Sequence, residues 1–120
     1  PCEQLFTSES PLTYLGCKPA PSAFYSRMQT LALRSIEALN NATNSRARGW
    51  VGVDMILGSH DDGRDDQVLE INPRFTTSYV GLSRGQQDGL LGPLLNHIRG
   101  NRNFIASWNE EACEFSFVPK

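Results

Sequence analysis

The chain has 120 residues, about the length of one domain with a single hydrophobic core. Eleven basic residues stand against thirteen acidic ones without a run of Lys or Arg, which argues against a nucleic-acid-binding surface, and no apolar stretch is long enough to span a bilayer. The first residues lack the basic segment and apolar core of a secretory leader, and three scattered cysteines predict no disulfide framework, so we expect a cytoplasmic protein.

The first part of the chain predicts strand followed by helix. Residues 3–18 contain short apolar runs that favour one or two strands, with a loop at residues 8–11. A Pro-Ala-Pro segment then offers Ser22 as the N-cap of a helix that extends to about Asn41. At helical spacing, one face of that helix carries Phe24, Met28, Leu31, Ala32, Ser35, Ala38 and Leu39. We expect this face to pack on a sheet.

The middle of the chain predicts an antiparallel hairpin. Two apolar runs with β-branched residues, at 49–58 and 67–73, flank a polar segment whose Asp61-Asp62-Gly63 favours a tight turn. The several aspartates of that segment lack the spacing of a calcium-binding loop, and we interpret them, Asp61, Asp62, Asp65 and Asp66, as a solvated turn.

The last third predicts less regular structure. We expect an irregular segment over residues 74–81, a second helix over about residues 86–98, and a short strand over residues 114–118. Taken together, the elements predict an α+β fold in which a mostly antiparallel sheet packs against helices, within a single domain over residues 1–120.

The hairpin carries the strongest candidate for a metal site. Glu70 and Asn72 are two residues apart on a strand, so their side chains leave the same face, and Asp54 on the preceding strand can stand beside Glu70. Two carboxylates and an amide carbonyl are hard oxygen donors of the kind that Mg²⁺ prefers. The alternative interpretation is a structural polar cluster.

The residues after the hairpin are suited to binding phosphate. Arg74 has a planar, permanently charged guanidinium that matches phosphate or carboxylate oxygens in a two-pronged fashion. Thr76, Thr77 and Ser78 add three hydroxyl groups and their backbone N–H groups. Beside a magnesium site, such a loop is suited to a phosphoryl group in transfer. Alone, the same residues would be read as a surface ion pair and a polar turn.

Two segments resemble a known family. Gly49-Trp50-Val51-Gly52-Val53-Asp54 and, after a short gap, Leu69-Glu70-Ile71-Asn72-Pro73-Arg74-Phe75-Thr76-Thr77-Ser78-Tyr79 are similar to the C-terminal metal-binding half of ATP-grasp enzymes. The second segment most resembles the branch that contains tyramine–glutamate ligase and related carboxylate–amine ligases. The resemblance implies that Asp54, Glu70 and Asn72 bind Mg²⁺, with Mn²⁺ as a possible substitute, and that Arg74 steadies the phosphate or acyl phosphate.

The resemblance also implies substrates and a missing partner. Such enzymes use ATP to activate a small-molecule carboxylate, and an amine then displaces phosphate. The N-terminal part of these enzymes brings lysines and a Gly-rich loop over the phosphates, whereas this chain has only Lys18 and Lys120. We therefore expect a fragment of a longer protein that does not turn over ATP alone. The alternative is a non-catalytic nucleotide-binding or interaction module with a degenerate ATP-grasp fold.

Overall fold

The computed structural model describes residues 1–85, 89–100 and 115–116 and confirms an α+β fold. The chain forms two compact units. The first, which we call the helix–hairpin unit, contains residues 21–75 and Pro1. The second, the split unit, is assembled from Cys2–Ala20 and Thr76–Lys120. The expectation that the chain is a single domain stays a prediction.

In chain order the described elements are two pairs of strands, each followed by helical segments, and a short last strand. They are β1 (Cys2–Phe6), β2 (Tyr14–Pro19), a 3₁₀ turn (Ser22–Phe24), α1 (Tyr25–Thr43), β3 (Gly52–Ile56), β4 (Gln67–Asn72), α2 (Ser78–Arg84), α3 (Leu91–Ile98) and β5 (Phe115–Ser116). The strands form two separate antiparallel sheets, β1-β2-β5 and β3-β4, where the sequence suggested one.

Helix α1 dominates the helix–hairpin unit and matches the predicted helix closely. The prediction that Ser22 is its N-cap is wrong, because Ser22 begins the 3₁₀ turn and neither helical start has a side-chain cap bond. The C-terminus ends at Asn44, which adopts a left-handed conformation, and the Ser45 N–H donates to the Asn40 carbonyl at 3.1 Å. This six-to-one bond is the Schellman arrangement, which satisfies carbonyls that the helix end leaves open.

The apolar face of α1 is covered only along its middle. Met28, Leu31, Ala32 and Ser35 are half-buried where the helix lies against β4. Near the two ends of the predicted stripe, Phe24, Ala38 and Leu39 are exposed. A two-stranded sheet is narrower than a helix of this length, so only the central turns have a partner surface within the unit.

The hairpin itself is antiparallel, as predicted. Gly52, Val53 and Asp54 pair with Asn72, Ile71 and Glu70. The connecting loop turns at Gly63, whose φ of 72° is accessible to glycine at little cost, and the Gly63 N–H donates to the His60 carbonyl at 3.0 Å.

The split unit combines the first strands with the last third of the chain. β1 and β2 form the predicted antiparallel pair, and β5 pairs with the other edge of β2. Of the predicted last strand, Phe115 and Ser116 are described and the rest lies outside the described residues, as do positions 86–88 of the predicted second helix. That helix begins at Leu91.

Helix α2 lies where the sequence suggested irregular chain. It starts directly after Thr77, a residue type common at helix starts, yet the Thr77 side chain makes no cap bond. Its hydroxyl instead donates to the Tyr14 hydroxyl at 3.1 Å. In the part of the chain that the structure describes, none of the helices has the length and apolarity that crossing a bilayer requires.

Candidate functional site

The β3–β4 pairing brings two acids face to face. Asp54 and Glu70 are direct partners across the two strands. Side chains of directly opposed residues leave the same face of the sheet, with Cβ atoms roughly 5 Å apart. Asn72 follows two residues after Glu70 and therefore shares that face. We call this surface, formed by Asp54, Glu70 and Asn72, the carboxylate face.

A hydrogen bond joins the amide and one acid of the carboxylate face. Asn72 is buried, with 5% of its surface exposed, and its Nδ2 donates to Asp54 Oδ2 at 3.2 Å. Glu70 is exposed, and Asp54 is intermediate. Exposure therefore increases across the carboxylate face from the buried Asn72 amide through the half-buried Asp54 to the exposed Glu70 carboxylate.

One extra residue in β4 separates the carboxylate face from the turn. Asp54 pairs with Glu70, but the next residue, Met55, pairs with Val68, so Leu69 has no partner of its own and forms a β-bulge. Leu69 is 60% exposed. The bulge places Val68 on the same face of the hairpin as Ile71, although the two residues are three positions apart and would lie on opposite faces of a regular strand.

The donor set of the carboxylate face fits a hard divalent cation. Two carboxylates and one amide on adjoining strands match the sparse protein ligation that Mg²⁺ uses when phosphates and water complete its shell. The amide shows its nitrogen to Asp54, and a half-turn about its Cβ–Cγ bond would present the oxygen instead. Among the described residues, no three His, Cys, Asp or Glu side chains lie close enough together to hold a metal ion. The third donor of the carboxylate face is therefore the Asn72 amide.

Arg74 extends from the end of the hairpin into solvent. It is exposed, and its Nη1 donates to the carbonyl of Phe75 at 3.4 Å. Phe75 packs on Trp50, with ring centroids 5.6 Å apart and planes tilted by 42°. This aromatic contact ties the segment after Asn72 to the segment before β3, so Arg74 leaves from a restrained stretch of backbone.

The three predicted phosphate-binding hydroxyls follow Arg74 along the chain and belong to the split unit. Thr76 Oγ1 and Ser78 Oγ are 2.7 Å apart and share a hydrogen bond, and the Thr77 hydroxyl donates to Tyr14. Burial raises the pKa of Tyr14 above its usual value. The hydrogen bond from Thr77 lowers it by a smaller amount. The hydroxyls therefore begin in local contacts that a ligand would have to replace.

Sequence reasoning missed a second polar group at the other end of the hairpin. Asp66, interpreted from sequence as part of a solvated turn, has a side chain only 4% exposed. It forms a two-pronged ion pair with Arg27 of α1, whose Nε lies 2.7 Å from Asp66 Oδ2. The hydrogen bonds from Arg27 hold the pKa of Asp66 below its usual value, and the same contact raises the pKa of Arg27.

The signal for this ion pair was weak in the sequence. Arg27 precedes Asp66 by 39 residues, and no local pattern connects them. The other aspartates of the loop do behave as a polar turn. Asp62 and Asp65 are exposed, Asp62 pairs with Arg64, and Asp65 Oδ2 lies 3.2 Å from His60 Nε2.

Comparison with protein families identifies a matching family model. A family model described as an ATP-grasp domain matches residues 2–78. The matched segment is more than half of the chain and includes Asp54, Glu70, Asn72, Arg74 and the hydroxyls at 76–78. Searches among curated proteins and among solved structures returned no match.

Proposed function

The chain belongs to the ATP-grasp family, and from this premise we propose that it provides the metal- and phosphate-binding half of an ATP-dependent carboxylate–amine ligase. Membership supports an ATP-dependent, ligase-like role in general. The observation that supports the finer proposal is the direct pairing of Asp54 with Glu70 on a face that also carries Asn72.

In this proposal the carboxylate face holds the cation. The Asp54 and Glu70 carboxylates and the Asn72 amide oxygen would bind Mg²⁺, or Mn²⁺ in its place. When bound, the ion neutralises charge on phosphate oxygens. Before an ion binds, the hydrogen bond from Asn72 orients Asp54; on binding, the amide would turn to present its oxygen. The exposed Glu70 carboxylate is open to a ligand from solvent.

The residues after the hairpin act on the phosphate. Arg74 would bind the oxygens of the transferring phosphoryl group in a two-pronged fashion, and Thr76, Thr77 and Ser78 would donate hydroxyl and backbone N–H bonds. A carboxylate oxygen of the substrate attacks the terminal phosphorus of ATP and ADP leaves. The amine then attacks the acyl phosphate, inorganic phosphate leaves, and the nitrogen loses a proton.

The proposal extends to the setting of the chain. The Glu-Ile-Asn-Pro-Arg segment with its following hydroxyls supports the branch of carboxylate–amine ligases that includes tyramine–glutamate ligase. We propose that the rest of the ATP-grasp domain, with the lysines and Gly-rich loop that cover ATP, belongs to the same parent chain, which acts in the cytoplasm on a small carboxylate and a small amine. ATP-dependent ligation by the purified 120-residue chain alone would contradict this part.

The test is calorimetric titration of the parent protein with Mn²⁺ and with Mg²⁺-ATP. Asp54→Asn and Glu70→Gln should each weaken metal-dependent nucleotide binding at least tenfold, in line with the loss of one charged ligand. Glu37→Gln is the matched control, because Glu37 is an exposed glutamate on α1 in the same unit. If the unsubstituted protein binds nucleotide without any metal dependence, or not at all, the non-catalytic module is the better description.

A further inference from the structure

The two ends of the β3–β4 hairpin follow different registers. At the site end, Asp54 pairs with Glu70; toward the turn, Met55 pairs with Val68, one residue out of step. Leu69 absorbs the difference as the bulge described above. A one-residue slip of one strand would remove this mismatch and would move the side chains of one end to the other face of the sheet. The question is what holds the turn end.

We propose that Arg27, Asp66 and Gly58 form a positioning clamp that keeps the bulge at Leu69 and thereby aims the Glu70 carboxylate. The metal-related part of this inference rests on the proposed function. The clamp itself consists of contacts within the helix–hairpin unit: a two-pronged pair from Arg27 to Asp66, and a bond from Arg27 Nη2 to the Gly58 carbonyl at 2.9 Å.

Gly58 closes the clamp on the strand side. Its N–H donates to Asp66 Oδ1 at 2.9 Å while its carbonyl accepts from Arg27, so one residue after β3 and one before β4 bind the same guanidinium. A Cβ at Gly58 would lie 2.9 Å from the backbone carbonyl of Asp65. Gly58 thus lies directly against Asp65, which is the partner that the turn-end register requires.

With the clamp in place, the turn end does not follow the register of the site end. Continued to the turn, the pairing of Asp54 with Glu70 would place Gly58 opposite Asp66 and would break the close contact between Gly58 and Asp65. Continued to the site, the turn-end register would place Leu69 opposite Asp54 and turn Glu70 to the apolar face. With both ends held, the extra residue stays beside Glu70, where a bulge bends the strand and re-aims the neighbouring side chain.

The chemistry of the clamp suits this task. Its acid is 4% exposed and its guanidinium side chain 17% exposed, whereas the pairs Arg64–Asp62 and Lys18–Glu3 are at least 42% exposed on both sides. Exposed pairs contribute little to structure, and buried pairs are best attested where they specify a register. The planar fork of Arg27 fixes direction as well as charge, which a lysine ammonium would not do.

The test uses the purified chain with four substitution variants and a deletion of Leu69. Arg27→Met, Arg27→Lys and Asp66→Asn each remove part of the clamp, and Arg64→Met is the matched control because Arg64 forms an exposed pair in the same loop. Nuclear Overhauser contacts between Met55 and Val68, or between Met55 and Leu69, report the turn-end register, and Mn²⁺ titration reports the site, both below the melting range of each variant.

A released clamp should replace the contact between Met55 and Val68 by one between Met55 and Leu69 and should weaken Mn²⁺ binding about tenfold, the lower end of the range for residues that orient metal ligands. Arg64→Met should change neither. Deletion of Leu69 should also weaken Mn²⁺ binding with the clamp intact, because the regularised strand still pairs Asp54 with Glu70 but lacks the bend.

A shifted register with unchanged Mn²⁺ binding would overturn the proposed effect of the clamp on Glu70. Clamp variants that keep the contact between Met55 and Val68 overturn the proposal, as does unfolding of all three, which would make the group a general stability element. If the unsubstituted chain binds no Mn²⁺ while the register still shifts in the variants, the clamp stands and the proposed function fails instead.

Discussion

The acids at the two ends of the hairpin have opposite surroundings: a positively charged partner at the turn and a second carboxylate at the site end. At the turn, Asp66 meets a guanidinium from α1 and two groups of Gly58. At the site end, Asp54 faces a second carboxylate, Glu70, and accepts from an amide. The first arrangement neutralises a negative charge with a residue of the chain. The second concentrates negative charge between strands, where opposed like charges destabilise the pairing.

This difference separates a structural acid from a ligand-binding one. An acid whose charge is balanced by an arginine has its hydrogen-bonding capacity used within the fold. Acids that oppose each other gain from an external cation, and a neighbouring amide provides a third donor. Four experiments break or sharpen this comparison, in order of decreasing effect.

The largest effect is expected from Glu70→Gln in the parent protein. Loss of one metal-binding carboxylate should reduce ATP-dependent turnover by about 100-fold or more. The same change should slightly raise the Tm of the metal-free protein, because it removes one of two opposed charges. Initial rates and a melting curve in the presence of a chelator measure both. Unchanged turnover would remove Glu70 from the site.

At the opposite end, Asp66→Asn should destabilise the fold. The substitution leaves the guanidinium of Arg27 largely buried beside a neutral amide, and breaking one partner of a buried pair is costly. We expect the Tm to fall by about 5 °C or more. Arg64→Met, which removes an exposed pair, should have little effect. Equal melting of Asp66→Asn and the unsubstituted chain would contradict the role of the clamp.

The pH dependence of this loss follows from the depressed pKa of Asp66. Arg27 lowers the pKa of Asp66 in the folded state, so the unfolded chain takes up the proton first as the pH falls. The stabilisation is therefore complete above about pH 4, the ordinary range of an aspartate, and is lost as the pH falls through the folded pKa. Arg27 stays charged throughout, and the negative charges of Asp61 and Asp62 also raise its pKa.

Melting curves of the unsubstituted chain and Asp66→Asn between pH 2 and pH 7 should accordingly converge at the acidic end. A constant difference in Tm across this range would mean that the charge of Asp66 is not what stabilises the turn.

The smallest effect is expected from Tyr14→Phe, which supplies a neutral reference for the charged clamp. It removes the acceptor of the Thr77 hydroxyl at the start of α2. A neutral, exposed hydrogen bond contributes about 0.5 kcal/mol, so the free energy of unfolding should fall by about that amount. Urea denaturation measures it, with Thr77→Val as the partner variant of a double-mutant cycle. Additive losses in the cycle would show that the bond contributes nothing.

The sequence carried enough information to predict the hairpin and the face of the site. β-branched runs around Asp61-Asp62-Gly63 specify the turn, and alternation along β4 places Glu70 and Asn72 together. These are local relations, readable within a few residues. The antiparallel sense of the two strands brings Asp54 near them, but its direct pairing with Glu70 depends on the bulge at Leu69, which the sequence does not indicate.

What escaped prediction depends on distant or competing contacts. Asp66 resembles its acidic neighbours in sequence, and only the tertiary approach of Arg27 distinguishes it. Helix α2 escapes prediction because the run Thr76-Thr77-Ser78 at its start suits a turn equally well, and the Thr77 hydroxyl donates to Tyr14 and not to the helix. The roles of Asp54, Glu70, Asn72, Arg74 and residues 76–78 stay predictions.

The bulge at Leu69 also affects how related sequences should be aligned with this one. A relative with a one-residue gap at the position of Leu69 would still pair its equivalents of Asp54 and Glu70, and would differ only in the bend of the strand. A gap at Ile71 would instead move Asn72 to the side of Val53 and separate the amide from both acids. The position of a one-residue gap in an alignment therefore decides whether the relative keeps the amide on the same face as the two acids.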